Sequence, residues 1–362
     1  MKKINSIEGI RTLGWFGVFL CHFRGAFFPG ISYWVDNTPL KFIWSGNAYV
    51  RLLFVLSGFV ISYKYYSKNE YTSLIPDAFK RYFRLMPTIL FAELIVYFLM
   101  KYHLLFNIPA SKILGSTDFL GIFNGQEPIL SVCLKEALIL TYFKGASGYI
   151  GPLWTMVYEY LGTMLVLASI AFFKKSNFRW LFYAIFLCTY SGYYNYFILG
   201  MIICEIVMNN NWMTRLKQHK ALQIIMILVG FSIMGMTSLN DADKLSRIIF
   251  GIGICIFLTG VISSDIADKF LGNNLMVQGG KIAYAAYVLH WPIIESFSCG
   301  LFLLLYNLGY SSITIKYLIL IATTIVVIIG SIIFNRFIEP IGNILINKMN
   351  NLIYKFQKQQ KD

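Results

Sequence analysis

The chain has 362 residues, of which 57% are hydrophobic and only 13% are charged. A soluble globular protein of this length does not need so much apolar surface, so the composition indicates a polytopic membrane protein. The net charge of +14 does not indicate nucleic-acid binding, because the basic residues stand in short clusters between apolar runs, as in cytoplasmic loops. The six cysteines are scattered and form no CxxC pair, which predicts neither a disulfide framework nor a metal site.

The first apolar run, 7–28, carries ionisable residues that include Arg11 and His22. These two are eleven positions apart, so a helix places them on nearly the same face, about 16 Å apart along its axis. An arginine near a helix end can extend to water, whereas a histidine deeper in the membrane needs a cavity or a polar partner. His22 is therefore a candidate for catalysis or ligand binding. The alternative is a structural hydrogen bond to a neighbouring helix.

The alternation of apolar runs and basic clusters predicts an all-α transmembrane bundle of about ten spans with both termini in the cytoplasm. The predicted spans are 7–28, 42–63, 85–100, 152–173, 180–190, 194–208, 222–238, 248–263, 283–306 and 313–334. A basic inner loop is expected around Arg215, Lys217 and Lys220. We predict one membrane domain over 1–345, a basic cytoplasmic tail over 346–362, and a location in the inner or plasma membrane.

The segment 101–150 is the least regular part of the sequence. Its middle, 132–143, is too short and too charged to span a membrane comfortably. The basic residues around it place the whole segment on the outer face, as re-entrant or interfacial helices. Long structured loops often carry function, so we expect this segment to help shape a site for the acceptor substrate.

Two arginines form the second chemical signal. Arg81 and Arg84 are three positions apart, on one side of the start of the predicted third helix, at the cytoplasmic surface. Paired guanidinium groups can bind phosphate in a bidentate manner that lysine cannot reproduce. The alternative is an ordinary cluster of positive charge that only sets the orientation of the helix.

Two further runs place polar groups inside helices. The run 151–159 begins a helix with Pro152 in its first turn, and Glu159 follows about two turns later, near the depth expected for His22. His22 is one possible partner for Glu159, and another helix is the alternative. The run 284–292 contains His290 two positions before Pro292, which is expected to loosen the helix. A histidine that stabilises this kink is the simpler interpretation.

Taken in order, these segments resemble the acyltransferase-3 family of integral-membrane acyltransferases. The resemblance rests on Arg11-x10-His22, FVLSGF at 54–59, Arg81-x-x-Arg84, LWTMVYE at 153–159, AYAAYVLHWP at 283–292 and FIEP at 337–340. Two positions depart from the family pattern: Tyr160 stands where a second glutamate is frequent, and Arg51 stands where an acidic residue is common. Both departures concern the acidic residue that would be the partner of the histidine, and both leave the histidine and paired-arginine motifs intact.

The resemblance implies transfer of an acyl group, usually acetyl, from cytoplasmic acyl-coenzyme A to a hydroxyl of a cell-surface glycan or lipid-linked saccharide. Acetyl-coenzyme A is then a donor substrate, with no permanently bound cofactor and no nucleic-acid partner. We expect His22 and Glu159 to be catalytic, and Arg11, Arg81 and Arg84 to bind the donor. Trp154 and His290 are expected to contact substrate.

Two alternatives to an acyltransferase fit a bundle of about ten helices. An intramembrane histidine and a broken helix would also suit a proton-coupled transporter or a flippase of glycan precursors. However, no inverted repeat is visible in the sequence, and the paired arginines would have no special role there. A membrane scaffold in a glycan-assembly complex is the weaker alternative.

Overall fold

The computed structural model describes residues 4–31, 33–174, 176–208, 210–236 and 243–348. These residues are mainly helical and contain no β-strand, as the composition predicts. The α-helices are α1 (Asn5–Phe27), α2 (Gly46–Lys68), α3 (Leu74–Lys101), α4 (Asn107–Leu114), α5 (Leu130–Lys135), α6 (Thr141–Phe143), α7 (Met156–Phe173), α8 (Phe178–Thr189), α9 (Tyr194–Met208), α10 (Asn210–Gln218), α11 (Lys220–Met236), α12 (Lys244–Ser263), α13 (Asp265–Leu271), α14 (Asn274–Lys281), α15 (Ala283–Ile293), α16 (Cys299–Asn307) and α17 (Ile313–Phe337).

Shorter helical turns connect or interrupt the α-helices. Three of them are 3₁₀ turns, at Trp34–Asn37, Pro39–Trp44 and Gly151–Thr155. Two are π-helical turns, at Glu136–Leu140 and Ile294–Ser298. The second π turn begins two residues after Pro292, where the sequence predicts a loosened helix.

Six helical segments of the described residues are long and apolar enough to cross a membrane, and α10 with α11 is a seventh if this bent pair counts as one span. The six are Gly46–Lys68, Leu74–Lys101, Gly151–Phe173, Lys244–Ser263, Ala283–Asn307 and Ile313–Lys348. Helices α8 and α9 are apolar but have only 12 and 15 residues, and the charged groups of α1 lower its hydropathy. The chain is thus a multi-pass helical membrane protein, while its ten spans and its orientation stay predictions.

The third helix begins earlier than the sequence predicts. Helix α3 starts at Leu74 rather than near Leu85, so Arg81 and Arg84 lie inside the helix instead of opening it. Pro87 also lies inside α3. The segment that follows, 102–150, contains only short helices, in agreement with the prediction that it does not span the membrane.

The chain divides into two compact units. The first unit comprises the described residues of 1–72 and 157–283, and the second those of 73–156 and 284–348. The predicted limits of the membrane domain stay a prediction. Most of the predicted basic tail, 349–362, lies outside the described residues.

Small residues allow close helix packing in the first unit. Helices α1 and α2 are antiparallel, with Gly14 against Leu53 and Gly17 against the ring of Tyr49. A Cβ at Gly17 would overlap that ring, so only glycine permits this approach. Helices α2 and α9 meet in the same way, because a Cβ at Gly58 would strike the carbonyl of Phe197.

The second unit is tied together by bonds to backbone carbonyls. The hydroxyl of Tyr82 on α3 donates to the carbonyl of Leu138 in the first π turn at 2.8 Å. The hydroxyl of Tyr284 on α15 donates to the carbonyl of Leu85 at 2.7 Å. These bonds connect α3 to the irregular segment and to the helix that carries His290.

Candidate functional site

Helix α1 carries two of the predicted site residues. Arg11 lies near its N-terminal end and His22 lies five residues before its end at Phe27. Three turns of helix separate them, which corresponds to about 16 Å along the axis. His22 is half-buried. Arg11 donates to Glu8 of the same helix, with 3.1 Å between Nη1 and Oε2, and its side chain is 33% exposed.

The packing of α1 on α2 sets the level of each residue along these helices. Cys21 lies against Gly46, Gly17 against Tyr49, and Gly14 against Leu53. His22 is therefore beside the first turn of α2. One turn further along this antiparallel register, Arg11 lies level with Ser57.

Ser57 forms the polar contact that the sequence did not predict. Its hydroxyl donates to the carboxylate of Glu159 on α7, at 2.9 Å to Oε1 and 3.1 Å to Oε2. Both residues are half-buried. The backbone carbonyl of Glu159 accepts a bond from Thr163 at 2.7 Å, one turn further along α7.

This bond places Glu159 near the level of Arg11 and not near the level of His22. The expectation that Glu159 and His22 share one depth is therefore wrong. The reason is the register of α1 on α2, which depends on where small residues occur in both helices and is not visible in either helix alone. The spacing along α2 could have suggested Ser57, because Ser57 lies four residues after Leu53 and so continues the helix face formed by Gly46, Tyr49 and Leu53.

An arginine two residues after His22 holds the loop that follows α1. The Arg24 guanidinium donates to both carboxylate oxygens of Asp36, at 3.0 Å to Oδ1 and 2.6 Å to Oδ2. Its carbon lies 5.3 Å from the ring centre of Tyr33 and 5.4 Å from that of Trp44. Burial raises the pKa of Asp36. The Arg24 guanidinium and the Tyr33 amide lower it by more than burial raises it, so the pKa lies below its ordinary value.

Arg81 and Arg84 belong to the second unit. Arg81 is half-buried and Arg84 is exposed. Glu339, from the closing FIEP motif, lies within electrostatic reach of Arg84 and accepts a bond from Asn335 at 3.0 Å. Gly342 packs against the backbone of Phe83. The structure thus brings the paired arginines together with the last family motif, which the sequence alone did not connect.

His290 is completely buried in the second unit. Its Nδ1 lies 2.6 Å from the carbonyl of Tyr287, and since a carbonyl only accepts, Nδ1 carries the proton. The hydroxyl of Tyr287 lies 2.7 Å from that of Thr155 and donates to the carbonyl of Pro152 at 2.9 Å. This arrangement suits a histidine that stabilises the helix near Pro292. The neighbouring Trp154 is half-buried, and the substrate-binding roles of Trp154 and His290 stay predictions.

Three buried carboxyl groups of the second unit were missed by sequence reasoning. Thr141 donates to Glu93 at 3.4 Å, the Tyr149 amide donates to Glu136 at 3.1 Å, and Asn124 donates to Glu295 at 2.9 Å. Burial raises the pKa of Glu136, while the amides of Tyr149 and Gly148 oppose that shift. Glu136 and Glu295 both lie in π turns. Sequence reasoning missed them because a single acidic residue in an apolar run leaves no periodic pattern.

The fold and the ionisable groups within its helices define a multi-pass helical membrane protein with a polar site in its first unit. The family model for the acyltransferase domain of the acyltransferase-3 family matches residues 4–336. The chain therefore belongs to this family and is a membrane acyltransferase. Neither the curated proteins nor the solved structures contain a significant match to the chain.

Proposed function

We propose that this acyltransferase moves an acetyl group from cytoplasmic acetyl-coenzyme A to a hydroxyl of a cell-surface glycan or lipid-linked saccharide. The observation that carries the proposal is the placement of Arg11 and His22 on one helix. A guanidinium suited to an anionic donor stands near the N-terminal end of α1, and a half-buried imidazole stands three turns further on. The proposed membrane is the inner or plasma membrane.

In this proposal His22 is the general base. Its imidazole accepts the proton of the acceptor hydroxyl as the oxygen attacks the thioester carbonyl. The tetrahedral intermediate then collapses, the carbon–sulfur bond breaks, and the imidazolium returns the proton to the coenzyme A thiolate. An imidazole can both accept and return a proton in these two steps.

The other predicted residues take supporting roles in the proposal. Arg81 and Arg84 bind donor phosphates through their guanidinium groups. Trp154 and His290 bind substrate in this proposal. Glu159 stands with Ser57 beside the level of Arg11. We therefore assign this pair to binding of the donor, through the uncharged amide groups of its pantetheine arm, rather than to the orientation of His22.

The test combines turnover with folding. Purified His22→Ala and His22→Gln should fold normally and lose about 10²- to 10⁴-fold in transfer rate, as expected when a general base is removed. Turnover of radiolabelled acetyl-coenzyme A and thermal stability in detergent are measured together. His290→Ala provides the comparison: its transfer rate should also fall, but together with the Tm, because this histidine is completely buried.

Two results would contradict the proposal. Near wild-type transfer by folded His22→Ala would remove the catalytic role of His22. An absence of acetyl-coenzyme A turnover by the wild-type protein, with saccharide movement across proteoliposomes instead, would favour a transporter or flippase. Mass analysis of surface glycans from cells with and without the gene would identify the acceptor.

A further inference from the structure

The first unit contains an open groove that plays no part in the proposed reaction. Its volume is about 470 Å³, and its lining is Ile206, Trp212, Met226, Cys255, Ile256 and Thr259. These residues come from α9, α10, α11 and α12. The hydroxyl-bearing Thr259 is only 4% exposed, and the surface of the groove is mostly apolar.

Helix α10, which contributes Trp212 to this groove, is amphipathic. Met213 and Leu216 are buried, whereas Arg215 and Lys217 are exposed. The axis of α10 bends by 96° from that of α11. A short amphipathic helix at a right angle to a membrane-spanning helix lies along the membrane surface. The basic loop predicted here therefore contains an amphipathic helix, a form suited to the membrane surface.

The helices on either side of the groove expose apolar side chains. Leu222, one turn from Met226 on α11, is 46% exposed, and Ile252, one turn from Ile256 on α12, is 51% exposed. In a membrane protein such surfaces face lipid, because water would not tolerate them as a continuous patch. The groove thus opens toward hydrocarbon, and an acyl chain is the ligand whose chemistry matches its lining.

Positive charge is available at the α10 end of the groove. Arg215, Lys217 and Lys220 are exposed and form no hydrogen bond or ion pair with any residue that the structure describes. The acid near this end of α9, Glu205, is already bound by Arg179, at 2.5 Å from Nε to Oε1 and 3.0 Å from Nη2 to Oε2. The three basic groups therefore remain for an anionic ligand.

We propose that this groove is a binding site for an anionic phospholipid. One acyl chain occupies the space between α9, α11 and α12, and the headgroup phosphate lies at Arg215, Lys217 and Lys220. Each basic side chain near an anionic headgroup contributes roughly fivefold in affinity. The proposal does not depend on acyl transfer, because it rests on a different set of residues in the first unit.

The test uses Trp212 as a reporter. The full-length protein in neutral detergent is titrated with phosphatidylglycerol or phosphatidylcholine that carry identical brominated acyl chains, which quench nearby tryptophan fluorescence. The signal from the groove is the part of the quenching that disappears in Trp212→Phe. We expect phosphatidylglycerol to quench this part at a mole fraction at least about tenfold lower than phosphatidylcholine, as two or more basic contacts imply.

Charge removal at two places decides between specific and general attraction. Arg215→Gln with Lys217→Gln should reduce the preference for phosphatidylglycerol by at least about tenfold, as the loss of two of the three basic contacts implies. Lys244→Gln with Arg247→Gln, which removes two charges near the N-terminal end of α12, should retain it. If the first pair misfolds by gel filtration, Lys220→Gln alone should reduce the preference by roughly fivefold.

Three outcomes would overturn the proposal. Quenching that is equal for the two lipids in the wild-type protein would show that the headgroup site is absent. A preference that is unchanged after removal of Arg215 and Lys217 would place the attraction elsewhere. Quenching with no component from Trp212 would show that acyl chains do not enter the groove.

Discussion

The Ser57 hydroxyl on α2 and the Glu159 carboxylate on α7 are hydrogen-bonded, although 102 positions separate them in the chain. Each residue belongs to a different family motif. The register of α1 on α2 sets this pair beside the level of Arg11, about three turns from His22. A carboxylate at that distance cannot bond to the His22 imidazole. We therefore expect Glu159 and His22 to contribute separately to the transfer reaction.

This separation predicts distinct effects of Glu159→Gln and His22→Gln. Glutamine keeps the size of Glu159 but loses its charge, so the KM for acetyl-coenzyme A should rise about tenfold, the order expected when a hydrogen bond to a charged group is lost. The pH profile of kcat should not move. The measurement is steady-state kinetics across pH 5.5–8.5 (about three units that bracket the ordinary histidine pKa).

Matched variants test the same pair. Ser57→Ala should raise the KM in the same direction, while Thr163→Ala, which removes only a bond to the Glu159 backbone carbonyl, should leave KM unchanged. A shift of the kcat profile toward lower pH in Glu159→Gln would show that this carboxylate does support the His22 imidazolium.

The paired arginines of α3 should not tolerate lysine. Arg81→Lys and Arg84→Lys keep the positive charge that directs membrane insertion but remove the planar guanidinium fork. We expect each variant to insert normally and to weaken the apparent affinity for acetyl-coenzyme A by about tenfold. Lys80→Gln is the control, because Lys80 contacts Asp77 at 3.7 Å and has no proposed donor role. Unchanged affinity in both arginine variants would make the pair a topological signal only.

The ion pair between Arg24 and Asp36 predicts a pH-dependent contribution to stability. The Asp36 pKa is lower in the folded protein than in the unfolded chain. The stabilisation is therefore complete above the unfolded value of about 3.9 and is lost as pH falls through the lower folded value. We expect Asp36→Asn to lower the Tm at pH 7, and the two Tm values to converge at the acidic end of a series from neutral pH downward.

The exposed Asp118 provides a control for that series. Asp118→Asn should leave the Tm unaffected at every pH, because the contact of Asp118 is only a 3.4 Å bond from Thr117 at the surface. A Tm difference for Asp36→Asn that stays constant down to low pH would mean that packing, and not the carboxylate charge, stabilises this loop.

The predicted outer location of 101–150 can be tested by thiol labelling. Ser116 is unsuitable because it is only 3% exposed, whereas Asp118 and Gln126 are exposed. Cysteines at these two positions should react with a membrane-impermeant reagent in intact cells. The native Cys188 is exposed and must first be replaced by serine. Gln218→Cys on α10 is the inner control, and labelling of Asp118→Cys and Gln126→Cys only after lysis would reverse the topology.

The sequence by itself determined the properties that depend on composition and local helix geometry. Apolar runs of sufficient length make the chain a helical membrane protein, because backbone groups in lipid must bond within their own segment. The spacing of Arg11 and His22 determines their common face and their separation, because both follow from the rise and rotation per residue. The order of the motifs along the chain was enough to indicate the family.

Tertiary structure decided which of these residues meet. The bond between Ser57 and Glu159, the approach of Glu339 to Arg84, and the bond from Asn124 to Glu295 all join distant parts of the chain. Such pairs depend on the register between packed helices. Close contacts at residues such as Gly14 and Gly17 determine that register to within one helical turn. Periodicity identifies the face of a helix but not the level at which its neighbour lies, so it could not locate Glu159 relative to His22.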